Sequence, residues 1–124
     1  MNKCVFCDKF KQRKPAFESD LILAYYDEFP VSKGHMLFIT KRHVKTFFDM
    51  SKEEKESMFE LVDKVKKYLD KEYSPDGYNI GLNCGEAAGQ SVMHVHLHLI
   101  PRYIGDTPNP RGGVRGVIAS KQSY

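Results

Sequence analysis

Three histidines stand at alternate positions in His94-Val95-His96-Leu97-His98-Leu99-Ile100. Strand side chains alternate faces with period two, so His94, His96 and His98 point one way and Val95, Leu97 and Leu99 the other. The apolar side can bury against a helix, leaving a row of imidazoles about 6.5–7 Å apart along the strand. Such a row has three readings: histidines satisfied within ordinary packing, a three-histidine metal site, or a catalytic row along an extended substrate. The segment just upstream, Asn83-Cys84-Gly85-Glu86-Ala87-Ala88-Gly89-Gln90-Ser91, favours the last. Small residues let backbone N–H groups approach an anion closely, and Gln90 and Ser91 add side-chain donors. A phosphate ester suits this combination. A neutral imidazole can attack phosphorus to form a covalent intermediate, splitting one hard displacement into two easier ones. Fixed donors then stabilise charge on the non-bridging oxygens.

A second group is Cys4-Val5-Phe6-Cys7, which has zinc-ligand spacing but is only half a site. Taken alone it is a ligand pair, two free thiols or a redox pair. The odd cysteine, Cys84, reads as a small loop residue.

These groups sit in a chain of 124 residues, 41% hydrophobic and 28% charged. That length predicts one domain with a core that needs no disulfide scaffold. A net charge of +3 is too weak to make nucleic acid the main partner. No segment reaches the ~20 apolar residues of a membrane span, and no signal-peptide core follows Met1, so the expected compartment is the cytoplasm.

The elements that must position the chemistry are a helix and four strands. Ser51 and Glu54 form a capping-box pair, and Met58, Leu61, Val62, Val65, Tyr68 and Leu69 recur at three and four, predicting a helix near residues 51–72. Residues 21–26, 35–40 and 78–83 read as strands. Residues 92–100 read as a fourth strand stopped by Pro101. Residues 1–16 are polar and basic apart from Val5, Phe6 and Phe10, with no element assigned. From Thr107 the chain is rich in Pro and Gly, either a mobile tail or an arm over a neighbour. Strand, strand, helix, strand, strand argues for α+β with an antiparallel sheet and helices on one face.

The histidine strand resembles the signature of the histidine triad (HIT) family of nucleotide hydrolases and transferases. Leu23-Ala24-Tyr25-Tyr26-Asp27, Gly34-His35-Met36-Leu37-Phe38-Ile39, Lys41-Arg42-His43 and Gly89-Gln90-Ser91 fall in that family's order, so the resemblance runs from about Cys4 to Asp106. It implies a HIT-like fold with a five-stranded antiparallel sheet over residues 1–106, a separate tail over 107–124, and a homodimer that joins its sheets. It makes His96 the nucleophile at the α-phosphate, giving a nucleotidyl-histidine that water hydrolyses. His98 becomes a phosphate contact and His35 an active-site histidine near the leaving group. Asn83, Gln90 and Ser91 match phosphate and leaving-group contacts. Asp27, otherwise a turn residue, matches the acceptor for the ribose hydroxyls. Val5, Phe6 and Tyr25 match an apolar slot for the base, with ordinary core packing as the competing reading.

The resemblance also completes the zinc site. The histidine of a Lys-x-His segment, here His43, and the first triad histidine, His94, join Cys4 and Cys7 in a closed tetrahedral set, and such a site is structural. The implied substrates are dinucleoside polyphosphates or nucleoside phosphoramidates. The stretch from Ile100 to Asp106 is closer to the dinucleoside polyphosphate hydrolases. Arg102 is either a leaving-phosphate contact or a solvated side chain. Thr40 stands where many relatives have proline. A nucleotide-binding regulatory module with little turnover is the alternative function, and a zinc-dependent hydrolase with metal on His94, His96 and His98 is a third.

Overall fold

The computed structural model describes residues 4–124, with the side chains of residues 10 and 11 excepted. Five strands form one antiparallel sheet in the order β1-β2-β3-β5-β4. They are β1 Phe17–Glu18, β2 Ile22–Tyr26, β3 Met36–Thr40, β4 Gly77–Leu82 and β5 His96–Arg102. The helices are α1 Val5–Gln12 and α2 Lys52–Tyr73. Among the described residues no helix is long and apolar enough to cross a membrane.

The alternation of residues decides the two faces. Ile22, Ala24, Met36, Phe38, Val95, Leu97 and Leu99 pack with Met58, Leu61, Val62, Val65 and Leu69 of α2 in one core. The predicted capping box starts that helix: Ser51 Oγ accepts from Glu54 N–H at 3.0 Å, and Glu54 Oε1 accepts from Ser51 N–H at 2.8 Å. Leu23, Tyr25, Leu37 and Ile39 face the other way and form a second cluster with Cys4 and Phe6.

That second cluster corrects two expectations. The N-terminal segment is not without structure: residues 5–12 form α1, with Cys4 as N-cap and its Sγ accepting from Cys7 N–H at 3.4 Å. The expectation of helices on one face holds for α2, but α1 anchors on the opposite face, the one carrying His96.

β5 also differs from its expected bounds. It starts at His96 rather than residue 92, since Val95 N–H donates instead to Val44 O at 2.8 Å. It does not stop at Pro101, which pairs with Tyr78 of β4. The Pro101 carbonyl accepts from Ser32 Oγ on its β3 side, and β3 begins only at Met36, opposite Leu99. The missing N–H therefore falls where no strand continues, and the proline is tolerated.

The C-terminal segment folds on itself. Short 3-10 turns at Gly113–Val117 and Ala119–Lys121 wrap Gln122, whose Nε2 donates to Asn109 O and Arg111 O. Gly112 is at φ 93°, and a Cβ there would stand 1.8 Å from Gln122 O. Only glycine fits that approach. The segment lies beside Asn79 of β4, whose Nδ2 would be 3.4 Å from a Cβ at Gly113.

Candidate functional site

His35, Leu37 and Ile39 share a face of the β3 chain, and Ile39 pairs with His96 and Leu37 with His98. Period two therefore brings His35, His96 and His98 onto one side of the central strands. His96 Nδ1–H donates to His94 O at 2.8 Å. That bond fixes the neutral tautomer and leaves the lone pair on Nε2. No fully buried side-chain nitrogen or oxygen among the described residues lacks a partner. His96 Nε2, which has none, therefore reaches solvent. The residue as a whole is 8% exposed, with the Phe6 ring edge-on at 4.9 Å and the His98 ring at 5.3 Å.

The second histidine pair is wired the other way. Val31 N–H donates to His35 Nδ1 at 3.0 Å, so the neutral ring carries its proton on Nε2. That N–H faces His98 Nδ1 at 3.0 Å and Asp27 Oδ2 at 3.3 Å. His98 accepts at Nδ1 and so keeps its own proton on Nε2, as a donor. Burial is the main cause that pushes the His98 pKa down to about 4, with His96 and His35 adding to it and Asp27 opposing. Burial also lowers His35, against the pull of Asp27. Both rings are neutral near pH 7.

His35 and His98 line a cavity of about 740 Å³ that runs past Asn83 and Asn79 to Val117 and Gln122 of the folded tail. His96 is not among its lining residues; it lies beside His98, partly screened by Phe6.

At the other end of the row, Cys4, Cys7, His43 and His94 each offer one ligand atom, and the four atoms lie within 4.8 Å of one another. Cys4 Sγ and Cys7 Sγ are each 3.4 Å from His94 Nδ1, and Cys7 Sγ is 3.4 Å from His43 Nδ1. Zn–S near 2.3 Å and Zn–N near 2.0–2.1 Å in a tetrahedron put neighbouring S and N about 3.5 Å apart, so the spacing fits. His94 Nε2–H donates to Thr40 O at 2.8 Å, which leaves the Nδ1 lone pair facing the sulfurs. Burial keeps the His94 ring neutral, as a ligand must be. His43 follows Arg42, whose guanidinium grips Glu54 at 2.7 and 3.2 Å and so ties this loop to the start of α2. The three histidines of the row do not converge on one point, and no metal-ligand group among the described residues combines His94, His96 and His98.

The HIT domain family model matches residues 11–105, which is most of the chain. The chain belongs to the HIT family. An uncharacterized HIT-like protein of Methanocaldococcus jannaschii is 42% identical over 106 residues, covering 83% of this chain and 81% of that protein. An adenosine 5'-monophosphoramidase of Schizosaccharomyces pombe is 39% identical over 102 residues, covering 80% and 74%. The crystal structure of a HIT family protein from Bacillus anthracis superposes with a TM-score of 0.79 at 38% identity, over 85% of this chain and 77% of that one. A zinc-bound histidine triad family protein from Mycobacterium smegmatis gives 0.75 at 31% identity, over 94% and 91%.

Within this HIT chain the remaining expected residues scatter. Asn83 lines the cavity, and Ser91 is exposed. Gln90 is 3% exposed and spends its amide on the loop: Nε2 donates to Lys45 O and Val92 O, and Oε1 accepts from Gly85 N–H. It shapes the loop instead of offering a donor to a ligand. Of the residues expected to form the base slot, Phe6 and Tyr25 lie together in the second cluster. Val5 is 61% exposed, and the buried Tyr25 donates its hydroxyl to Arg13 O at 3.0 Å. Asp27 does act as a turn residue, Oδ1 accepting from Phe29 N–H at 2.8 Å, while Oδ2 faces His35. Arg102 is half-buried at the cavity lining, where it binds Asp106 through Nε and Nη2 and Asn79 through Nη1.

Two contributors were missed from sequence. The Thr40 carbonyl sets the His94 ring, and a backbone group leaves no residue-type signal. The tail supplies a cavity wall; its glycines at 112, 113 and 116 were the available sign of a folded turn.

Proposed function

We propose that this chain is a nucleotide hydrolase or nucleotidyl transferase that forms a covalent intermediate on His96. The observation that carries the proposal is the Nδ1–H bond from His96 to the His94 carbonyl, which leaves an unpartnered Nε2 lone pair at the sheet surface. That lone pair forms a bond to the α-phosphorus of a nucleoside phosphate as the bond to the leaving group breaks. The leaving group departs with the electron pair and takes up a proton. Water then attacks phosphorus, the P–N bond breaks, and His96 is restored.

His98, held as an Nε2–H donor by His35, stabilises a non-bridging oxygen. Asp27 retains acceptor lone pairs for ribose hydroxyls beyond the bonds it already makes. Asn83 and Ser91 flank the phosphate path. Candidate substrates are dinucleoside polyphosphates and nucleoside phosphoramidates; the phosphoramidase named among the relatives supports the latter. Cys4, Cys7, His43 and His94 would hold zinc. With four protein ligands it would have no open position and would fasten α1 and the His43 loop to the histidine row. The catalytic domain would span residues 1–106, with 107–124 walling its cavity. The outer side of β4, unpaired in the sheet order, is the edge through which a homodimer would join its sheets.

One observation favours a second reading, a nucleotide-binding regulatory module with little turnover: His96 is only 8% exposed and lies outside the cavity lining. A panel of adenosine and guanosine phosphoramidates and dinucleoside polyphosphates, ranked by kcat/KM, separates the two. Multiple turnovers with at least one substrate are expected. Tight binding of every substrate with no release of nucleoside monophosphate would leave the binding module standing.

A further inference from the structure

Of the four residues that could hold a metal, His43 is the exposed one, and it follows β3 on a turn outside the sheet. A ligand on such a turn meets the metal in place only if groups behind it hold the turn. The residue before it, Arg42, is held at both ends. Its guanidinium grips Glu54, with Nη2 2.7 Å from Oε1 and Nε 3.2 Å from Oε2. Glu54 is buried and caps the start of α2, so that grip ends on a fixed element. The Arg42 carbonyl accepts the hydroxyl proton of Thr40 at 2.6 Å.

Thr40 meets the buried ligand as well. It is the last residue of β3 and is fully buried. Its carbonyl accepts from His94 Nε2–H at 2.8 Å, and its Oγ1 stands 3.3 Å from the same nitrogen. With its own proton given to Arg42 O, Oγ1 has lone pairs left to share that N–H. One hydroxyl therefore reaches the turn of one ligand histidine and the ring of the other. Those two rings lie edge to face, 4.9 Å apart. A hydroxyl can donate to a carbonyl and accept from an N–H at one point; a valine side chain of the same shape can do neither.

We propose that Thr40 is a positioning residue for the metal centre: its hydroxyl sets the His43 turn and the His94 ring together, so that Cys4, Cys7, His43 and His94 meet a zinc ion without rearranging. This rests on the reading of those four residues as zinc ligands and is independent of the chemistry at His96. Loss of a hydrogen-bond partner behind a ligand histidine weakens metal binding about 10- to 100-fold, so a side chain that never touches the ion can decide whether it stays.

The test compares the full-length wild type with Thr40→Val, which keeps the shape and the carbonyl but loses the hydroxyl, and with Thr40→Ser, which keeps the hydroxyl. Three quantities are read. They are zinc affinity by competition with a chromogenic chelator, the rate of zinc release into an excess of that chelator, and Tm of the zinc-loaded and the stripped protein. Thr40→Val should bind zinc about 10- to 100-fold more weakly and release it correspondingly faster. Its Tm should fall further in the loaded protein than in the stripped one. Thr40→Ser should hold zinc within about threefold of wild type. Thr40→Ala takes the place of the valine variant if that one does not fold. Unchanged zinc affinity in Thr40→Val, with equal losses of Tm in loaded and stripped protein, overturns the proposal, because the hydroxyl would then serve only the packing of β3. So does a serine variant as weak in zinc binding as the valine one. A wild type that binds no zinc defeats the zinc reading and the proposal with it. A wild type that binds zinc tightly beside an equally tight valine variant defeats the positioning role alone.

Discussion

The two histidine clusters of this molecule are built from the same parts and do opposite things. In each, backbone fixes which ring nitrogen carries the proton. At Cys4, Cys7, His43 and His94, the Thr40 carbonyl takes the Nε2–H of His94 and turns a lone pair toward two sulfurs. At Asp27, His35 and His98, the Val31 N–H takes the Nδ1 lone pair of His35 and turns an N–H inward. Three potential ligand atoms gather in the second cluster too, but a neutral His35 has no lone pair left to point at a cation. A carbonyl in one place and an amide N–H in the other separate a cluster that could hold a metal from a proton-holding one. His96 stands between them, its Nδ1–H given to the His94 carbonyl and its Nε2 open.

The largest effect should come from the residue between the clusters. His96→Ala is expected to lower turnover by roughly a thousandfold or more while AMP binding, followed by calorimetry, stays within a few-fold. Activity close to wild type would show that neither cluster serves a nucleophile there.

Next in size is the metal cluster. Cys7→Ser should cost roughly 3 kcal/mol or more of stability, read as a fall in Tm of about 10 °C or more with loss of bound zinc. A variant as stable as wild type would reduce the four converging residues to ordinary packing. Protein purified without chelator should contain close to one zinc per chain, and far less than a tenth would give the same answer.

The proton-holding cluster should show itself in acid. His98 is pushed from 6.5 down to about 4 by burial, so between those values the unfolded chain binds the proton that the folded ring refuses. Stability from this group is full above pH 6.5 and is lost as pH falls toward 4. His35 moves in the same direction. Replacing His98 by Asn should flatten the decline in a series of urea melts from pH 7 to pH 4. An equally steep decline in the variant would place the acid sensitivity elsewhere.

The smallest effect is expected at Tyr25. Tyr25→Phe removes one hydroxyl bond to Arg13 O and should cost about 1 kcal/mol, with nucleotide affinity unchanged. A marked loss of affinity would restore Tyr25 to a base slot.

The sequence was most legible where period and capping decide structure. The α2 core face and its Ser51–Glu54 cap, and the shared face of His96 and His98, follow from spacing alone. The chemistry of the row was legible as residue types, and the four-ligand set needed the family resemblance. The direction of each ring was not legible, because Thr40, Val31 and His94 set it through backbone groups that carry no residue signature. α1 was hidden because its polar residues look like a tail and its apolar contacts are made across the sheet to Leu23, Leu37 and Ile39. Pro101 misled because its tolerance depends on where β3 begins. Gln90 had the right residue type, but long-range carbonyls, Lys45 among them, claim its amide.

The most direct test is to identify the covalent adduct. The protein is mixed with adenosine phosphoramidate, quenched within milliseconds under alkaline conditions that preserve a P–N bond, digested and sequenced by mass spectrometry. An adenylyl group on the imidazole of His96 is the predicted result. Turnover without any adduct, or with the group on His35 or His98, would contradict the account.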